Sequence, residues 1–211
     1  MPGVPTANGK QAALPLRYTT PPAWVAQALA EPLALLADHA QLERKAAVNA
    51  LDLVNRWPRD DHAEAWVGLL AAITADEAMH LKAVTRLLAA RGGAIPRAHR
   101  NAYASALHER VRRGDGPREL LDRLLVAALI EARSCERFEL LAAHGEDAEL
   151  AAFFAGLCAS ERGHYTVFLR LADMVGGRAL REARWHEWLD LEAAVIAAQP
   201  PGPRIHSGLA P

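Results

Sequence analysis

Four glutamates and two histidines of the chain recur at a spacing suited to binding metal ions. Two of the glutamates precede a histidine by three residues, in Glu77-Ala-Met-His80 and in Glu161-Arg-Gly-His164, and the other two are Glu43 and Glu131. Residues three apart lie on one face of a helix, so each pair directs a carboxylate and an imidazole the same way. These are donor groups with which proteins bind iron and manganese.

All six residues interrupt the apolar face of a predicted helix. Glu77 and His80, for example, share a face with Ile73 and Val84. A buried carboxylate is costly unless it is protonated or paired, and four that face one another require a compensating cation. Two iron or manganese ions satisfy this requirement when two helices each supply one Glu and two others each supply Glu-x-x-His. We therefore interpret the pattern as a di-metal site.

Proline and glycine clusters divide the chain into helices. Ala and Leu dominate, β-branched residues are sparse, and no segment alternates as a strand does. The predicted elements are a short helix after Thr20, long helices over about 32–57, 61–91, 117–145 and 147–175, a helical piece at 98–112, and a last helix at 178–198.

The lengths of the connections predict how these helices assemble. Short turns join the first long helix to the second and the third to the fourth, whereas a long segment joins the second to the third. Ferritin-like four-helix bundles have this connectivity, with one long crossover. We predict an all-α, ferritin-like bundle with extra terminal helices, in a single domain over 1–211. Residues 1–20 would be extended, and 199–211 would form a Pro/Gly-rich tail.

A comparison of heights, meaning the distance of each residue along its helix from the nearest turn, tests whether the candidate ligands can meet. Glu43 and Glu77 lie 14 and 16 residues from their shared turn, and Glu131 and Glu161 lie 13 and 14 residues from theirs. At ~1.5 Å per residue, all four stand roughly 20–24 Å from the turns. The four carboxylates are therefore expected at matching levels.

Three further residues bear on the ligand set. Glu136 is an alternative to Glu131, although five residues further on it turns away from the apolar stripe. His39, one turn before Glu43, has either a role beside the metal or one in the core. Asp76 is placed to hydrogen-bond a ligating histidine from across the bundle, as metal-bound imidazoles usually require.

Composition limits the class of protein. A hydrophobic fraction of 51% excludes a disordered chain, and a net charge of −1 gives no overall basic field for nucleic acid. The two cysteines cannot form a disulfide framework and favour a reducing compartment. The first ten residues contain no apolar signal core, and charges interrupt every stretch long enough to span a bilayer. These features predict a cytoplasmic protein that does not contact a membrane.

Four stretches carry a more specific signal. They are Asp38-His-Ala-Gln-Leu-Glu43-Arg-Lys-Ala-Ala47, Ile130-Glu-Ala-Arg-Ser-Cys-Glu-Arg-Phe138, Ser160-Glu-Arg-Gly-His164 and Arg204-Ile-His-Ser-Gly208. Together they resemble the bacterial tRNA-(2-methylthio-N6-isopentenyladenosine) hydroxylases, over roughly residues 22–208. The second stretch is the most specific of the four.

The resemblance implies a non-haem di-iron monooxygenase that acts on tRNA. The family hydroxylates the isopentenyl side chain of a hypermodified adenosine next to the anticodon, and it uses O2 and two external electrons. The implied cofactors are two iron ions, Fe(II) or Fe(III), and no catalytic residue is expected beyond their ligands. Those ligands would be Glu43, Glu77, His80, Glu131, Glu161 and His164. The expected partners are tRNA and an electron-donating reductase or ferredoxin, and we expect a monomer.

One basic segment offers a surface for RNA. Between residues 91 and 123, eight arginines outnumber four acidic residues, which gives a net charge of +4. Arginines neutralise phosphates and stack on bases. We assign tRNA binding to this segment, and a solvated crossover is the alternative. The candidate contacts are Arg97, Arg100, Arg110, Arg112 and Arg113.

Two other functions remain open at this point. One is another ferritin-like di-metal activity, such as a ferroxidase, an iron-storage subunit or a manganese catalase, against which the basic crossover argues. The other is a helical interaction protein without activity, which does not account for six converging ligands.

The C-terminal tail carries a separate expectation. Gln199-Pro-Pro-Gly-Pro-Arg204 cannot continue a helix, because consecutive prolines lack amide donors. We expect residues 204–208 to pack on the folded body, with Ile205 buried and Arg204 or His206 anchored to a carboxylate.

Overall fold

The computed structural model describes residues 13–210, and within this range every regular element is a helix apart from one isolated β-bridge between Pro201 and Gly208. The elements are α1 (Ala23–Leu29), α2 (Pro32–Leu53), a 3-10 turn (Asp60–His62), α3 (Ala63–Ala90), α4 (Ala102–His108), α5 (Pro117–His144) and α6 (Ala148–Ala197). The all-α prediction is therefore confirmed. Residues 1–12 of the predicted extended segment lie outside the described residues, and residues 13–20 contain no helix.

The starts of the long helices follow from local sequence. Pro32 and Pro117 occupy the first turns of α2 and α5, where a missing backbone N–H costs nothing. At the start of α6, the side chain of Asp147 accepts a hydrogen bond from the backbone N–H of Leu150 at 3.0 Å. These residues set the heights at which the candidate ligands stand.

The predicted break between the last two helices is confirmed. The helices predicted over 147–175 and 178–198 are the two parts of α6, and the non-helical backbone of Gly177 separates them. Gly177 has φ 75° and ψ 160°, a conformation that glycine adopts without the steric cost of a side chain. The bend separates the bundle part of α6 from its terminal part.

The four long helices form two hairpins. α2 packs against α3, α5 packs against α6, and residues 91–116 cross between the hairpins and carry α4, which lies against α5 and α6. α1 and the last part of α6 are the additional helices. The predicted four-helix bundle with one crossover is confirmed. None of the helices within residues 13–210 is long and apolar enough to cross a membrane.

Two apolar clusters fill the bundle, one on each side of the candidate ligands. On α3, Ile73 belongs to one cluster and Val84 to the other, and on α5, Leu129 and Phe138 are divided in the same way. Glu77, His80 and Glu131 lie between these residues in the sequence. The polar groups therefore form a layer enclosed by apolar packing on both sides.

The C-terminal tail packs onto the bundle, as predicted. Ile205 is fully buried and its backbone N–H donates to the carboxylate of Asp38 at 3.0 Å. The ring of His206 lies 4.6 Å from that of Tyr103, and its Nε2 is 3.2 Å from the hydroxyl of Ser134. Among the described residues the predicted anchor is therefore wrong in its chemistry, because a backbone amide and not the Arg204 or His206 side chain meets a carboxylate.

Candidate metal centre

Four helices bring all six candidate ligands into one buried layer. α2 contributes Glu43, α3 contributes Glu77 and His80, α5 contributes Glu131, and α6 contributes Glu161 and His164. Their ligand atoms form two overlapping sets, each with all members within 4.8 Å of one another: Glu43, Glu77, His80 and Glu161, and Glu77, Glu131, Glu161 and His164. Two sets that share two carboxylates match the requirement of two adjacent metal ions.

Both histidines direct the Nδ1 atom into the layer. His80 Nδ1 lies 3.5 Å from Glu43 Oε2 and 3.4 Å from Glu161 Oε1, and His164 Nδ1 lies 2.8 Å from Glu77 Oε1. The two imidazole rings are 5.9 Å apart between centroids. The geometry places nitrogen and oxygen donors around a common space.

Several of these donor atoms lack a hydrogen bond. His80 Nδ1, His164 Nδ1, Glu77 Oε1 and Glu161 Oε1 are buried and have no partner of hydrogen-bond geometry within the described residues. The 2.8 Å contact between His164 and Glu77 is thus a close approach without the required angles. Buried polar atoms normally have partners, so this donor set fits two cations that accept the free lone pairs.

Burial and mutual repulsion shape the acidity of the carboxyl groups. Burial, reinforced by neighbouring carboxylates, raises the pKa of Glu77 and Glu131 far above the usual range and that of Glu161 to about 8. Burial acts in the same direction on Glu43, but His39 beside it outweighs this effect and lowers its pKa. Without a cation the layer therefore holds protons that a metal ion must displace.

These shifts predict how the stability of the metal-free protein depends on pH. A carboxyl group whose pKa is raised by folding binds more protons in the folded than in the unfolded state, so stability falls as pH rises. Between pH 6.5 and 8 we expect the free energy of unfolding to decrease, by up to ~1.4 kcal/mol per pH unit for each such group. Denaturant unfolding across this range measures the slope.

Opposing contributions become small in this pH range. Burial lowers the pKa of His206 and of His108, and each adds stability as pH rises, a contribution that fades above 6.5, the ordinary pKa of histidine. Saturation with Mn(II) or Fe(II) is expected to remove the decrease, because metal-bound carboxylates stay ionised. Glu161→Gln is expected to make the decrease in the free energy of unfolding with pH smaller, because it removes one carboxyl group whose pKa is raised. A metal-free protein whose stability is constant or rises from pH 6.5 to 8 would contradict the assignment.

Neighbouring side chains hold the candidate ligands in place. Asp76 Oδ2 and Ser160 Oγ each lie 3.3 Å from His164 Nε2, on the side of the ring away from the layer. His39 Nε2 contacts Glu43 Oε1. Glu136, the alternative to Glu131, points elsewhere: its carboxylate accepts hydrogen bonds from the backbone N–H and hydroxyl of Thr20.

A cavity of about 230 Å³ opens beside the carboxylates of Glu43, Glu77, Glu131 and Glu161. α2 and α5 give it an apolar wall, formed by Leu42, Ala46, Ala127, Ile130 and Phe138, and they also add the polar side chains of His39, Lys45, Asn49 and Ser134. α4 and its first flanking residue add Asn101, Ala104, Ser105 and His108. Sequence reasoning missed these four, and the only sequence signal was that Ala104, Ser105 and His108 share a helix face.

The five arginines predicted to contact tRNA divide into two groups. Four are exposed and form no ion pair with any part of the chain that the structure describes: Arg97, Arg100, Arg110 and Arg113. Arg112 instead binds the fully buried carboxylate of Asp122, with Nη2 2.8 Å from Oδ1. Arg112 therefore holds the crossover to α5, and the other four are open to a ligand.

Comparison with known proteins identifies relatives over most of the chain. Residues 10–207 match the family model described as tRNA-(MS[2]IO[6]A)-hydroxylase (MiaE). The tRNA 2-(methylsulfanyl)-N(6)-isopentenyladenosine(37) hydroxylase of Pseudomonas putida is 40% identical over 160 residues, 76% of each chain. The protein of the same name from Salmonella typhimurium is 29% identical, over 92% of this chain and 88% of its own.

A solved structure shares the architecture. Protein 43 from Synechococcus, which has aldehyde deformylating oxygenase activity, superimposes with a TM-score of 0.83 at 33% identity. The match covers 92% of this chain and 96% of that one. The ferritin-like fold predicted from the helix pattern is thereby confirmed.

Proposed function

The chain belongs to the tRNA-(MS[2]IO[6]A)-hydroxylase (MiaE) family, and we propose that it hydroxylates the isopentenyl side chain of 2-methylthio-N6-isopentenyladenosine next to the anticodon of tRNA. The observation that carries the proposal is a buried set of six metal-binding side chains beside a largely apolar cavity. The family relationship does not favour ferroxidase, iron storage or catalase as the function.

The overall reaction defines what must be supplied. One atom of O2 enters a C–H bond of the substrate, and the other leaves as water after uptake of two electrons and two protons. We propose that two iron ions are held by the six ligands and that, when bound, they activate O2. The electrons come from a reductase or ferredoxin. We further propose that the protein acts as a monomer in the cytoplasm, where its tRNA substrate is found.

The residues of the chain contribute binding, orientation and exclusion of water. Asp76 and Ser160 fix the ring of His164, and His39 holds the carboxylate of Glu43. The apolar walls of the cavity take the isopentenyl group and keep water away from the reacting carbon. This division of roles leaves the redox chemistry to the cofactor.

The direct test is hydroxylation by the purified protein. Iron-loaded protein, a reductant and O2 are incubated with tRNA that carries the 2-methylthio-N6-isopentenyl modification, and the nucleosides are analysed by mass spectrometry. We expect a gain of one oxygen atom that derives from isotopically labelled O2 and not from labelled water. A fully metal-loaded protein that leaves this nucleoside unchanged would overturn the proposed function.

Charge reversal in the basic segment tests the tRNA surface. Arg100→Glu combined with Arg110→Glu is expected to weaken tRNA binding and to reduce the slope of log affinity against log salt concentration by about two, one for each lost phosphate contact. The matched control is Arg86→Glu with Arg170→Glu, two exposed arginines outside this segment. Equal affinity of both variants for tRNA across a salt titration would show that the basic segment is a solvated crossover and does not bind tRNA.

A further inference from the structure

A second cavity lies next to the one beside the candidate metal ligands. Its volume is about 220 Å³, and Asn49, His108, Val111, Arg113 and Arg123 line it. Asn49 and His108 also line the first cavity. The two spaces therefore adjoin at these two side chains. Together, and called the passage below, they extend from the buried carboxylates to the basic segment.

The helices give the scale of this passage. Asn49 follows Glu43 by six residues on α2, and Arg123 precedes Glu131 by eight residues on α5. At ~1.5 Å per residue, these separations correspond to roughly 9 Å and 12 Å along the helices. In the modified nucleotide the five-carbon side chain is followed by the purine, the ribose and then the phosphate, so its groups are spread over a distance of the same order.

The middle of the passage is suited to a purine. Asn49 offers an amide donor and acceptor, and His108 offers a flat ring that can stack or hydrogen-bond. Burial, together with the nearby Arg123 and Arg113, lowers the pKa of His108. His108 is therefore neutral at pH 7, so that one ring nitrogen can accept a hydrogen bond and the other can donate one.

The outer end of the passage is suited to a phosphate. Arg123 is already paired with Glu119, 2.6 Å away, whose carboxylate also accepts from the backbone N–H of Gly114. Arg113 is exposed, forms no ion pair within residues 13–210, and contacts only the backbone oxygen of His108, at 3.5 Å. Its guanidinium is thus the available cation at this end.

We propose that the second cavity is a nucleotide-binding site, in which Asn49 and His108 hold the adenine ring of the modified nucleotide and Arg113 binds an adjacent phosphate. The site sets the position of the base so that its isopentenyl group enters the first cavity. This inference rests on the proposed function for its ligand and extends it to the residues that recognise the nucleotide.

Equilibrium binding tests the site without turnover. The probes are N6-isopentenyladenosine and its 5′- and 3′-monophosphates, measured by calorimetry on the metal-loaded protein. We expect at least one monophosphate to bind about tenfold more tightly than the nucleoside, as one charge-assisted hydrogen bond provides. The two monophosphates distinguish which phosphate Arg113 contacts.

Three variants test which residues are responsible for the preference for a monophosphate over the nucleoside. Arg113→Ala is expected to abolish the preference for the monophosphate and to leave nucleoside affinity unchanged, whereas Asn49→Ala weakens all probes equally. Arg86→Ala, at an exposed position on α3, is the control with no expected effect. Equal binding of nucleoside and both monophosphates by the unmodified protein, or a preference that survives Arg113→Ala, would overturn the proposal. If the preference is present but hydroxylation is absent, the proposed function fails and the nucleotide site stands.

Discussion

Glu131→Ala and His164→Ala are each expected to lose at least one of about two iron ions per chain and to abolish hydroxylation of tRNA. Both residues belong to the set whose ligand atoms converge within 4.8 Å, and they are 5% and 4% exposed. An alanine leaves a position in this buried layer that a distant side chain cannot fill. Metal analysis after anaerobic loading with Fe(II) measures the loss directly.

Matched substitutions separate ligand loss from general damage. Glu64→Ala and His144→Ala remove the same side-chain types from exposed positions on α3 and α5. These variants are expected to keep their iron and their activity. The thermal stability of the metal-free ligand variants does not decide the question, because loss of a carboxylate also relieves repulsion. Full iron content in both ligand variants would show that the ligand set is wrong.

The candidate ligands could be located from the sequence because helical geometry is regular. Six polar residues on apolar faces, at equal heights from two short turns, are expected to converge in any antiparallel bundle that buries those faces. The contact between Asp76 and His164 also follows from this geometry, since α3 and α6 bring both residues to the same layer. Regular helices thus convert spacing in the chain into distances in space.

The crossover could not be predicted in the same way. Where α4 lies against the bundle depends on contacts between distant segments, and helical periodicity carries no information about them. The pairing of Arg112 with Asp122 illustrates the limit, since a charge count treats every arginine as available although this one is held by a buried carboxylate. The cavity contacts of Ser105 and His108 were missed for the same reason.

Ile205→Ala is expected to lower the free energy of unfolding by about 2–5 kcal/mol, which is the usual cost of truncating a fully buried isoleucine. Ile205 packs in the apolar cluster that contains Trp24 and Phe138, so the substitution leaves a cavity inside the bundle and not at its surface. Chemical denaturation of the metal-loaded protein measures the difference.

The chain provides its own control in Ile95→Ala, because Ile95 is 37% exposed on the crossover and its truncation is expected to cost far less.

The tail is also held by polar contacts, in which the indole N–H of Trp24 donates to Ser207 Oγ at 3.0 Å and Arg137 donates to the backbone oxygen of Ser207 at 3.1 Å. Deletion of residues 203–211 leaves these buried donors without partners, so it is expected to destabilise the protein more than Ile205→Ala alone. If the deletion and Ile205→Ala both unfold like the unmodified protein, the tail contributes nothing to stability and its packing on the bundle is incidental.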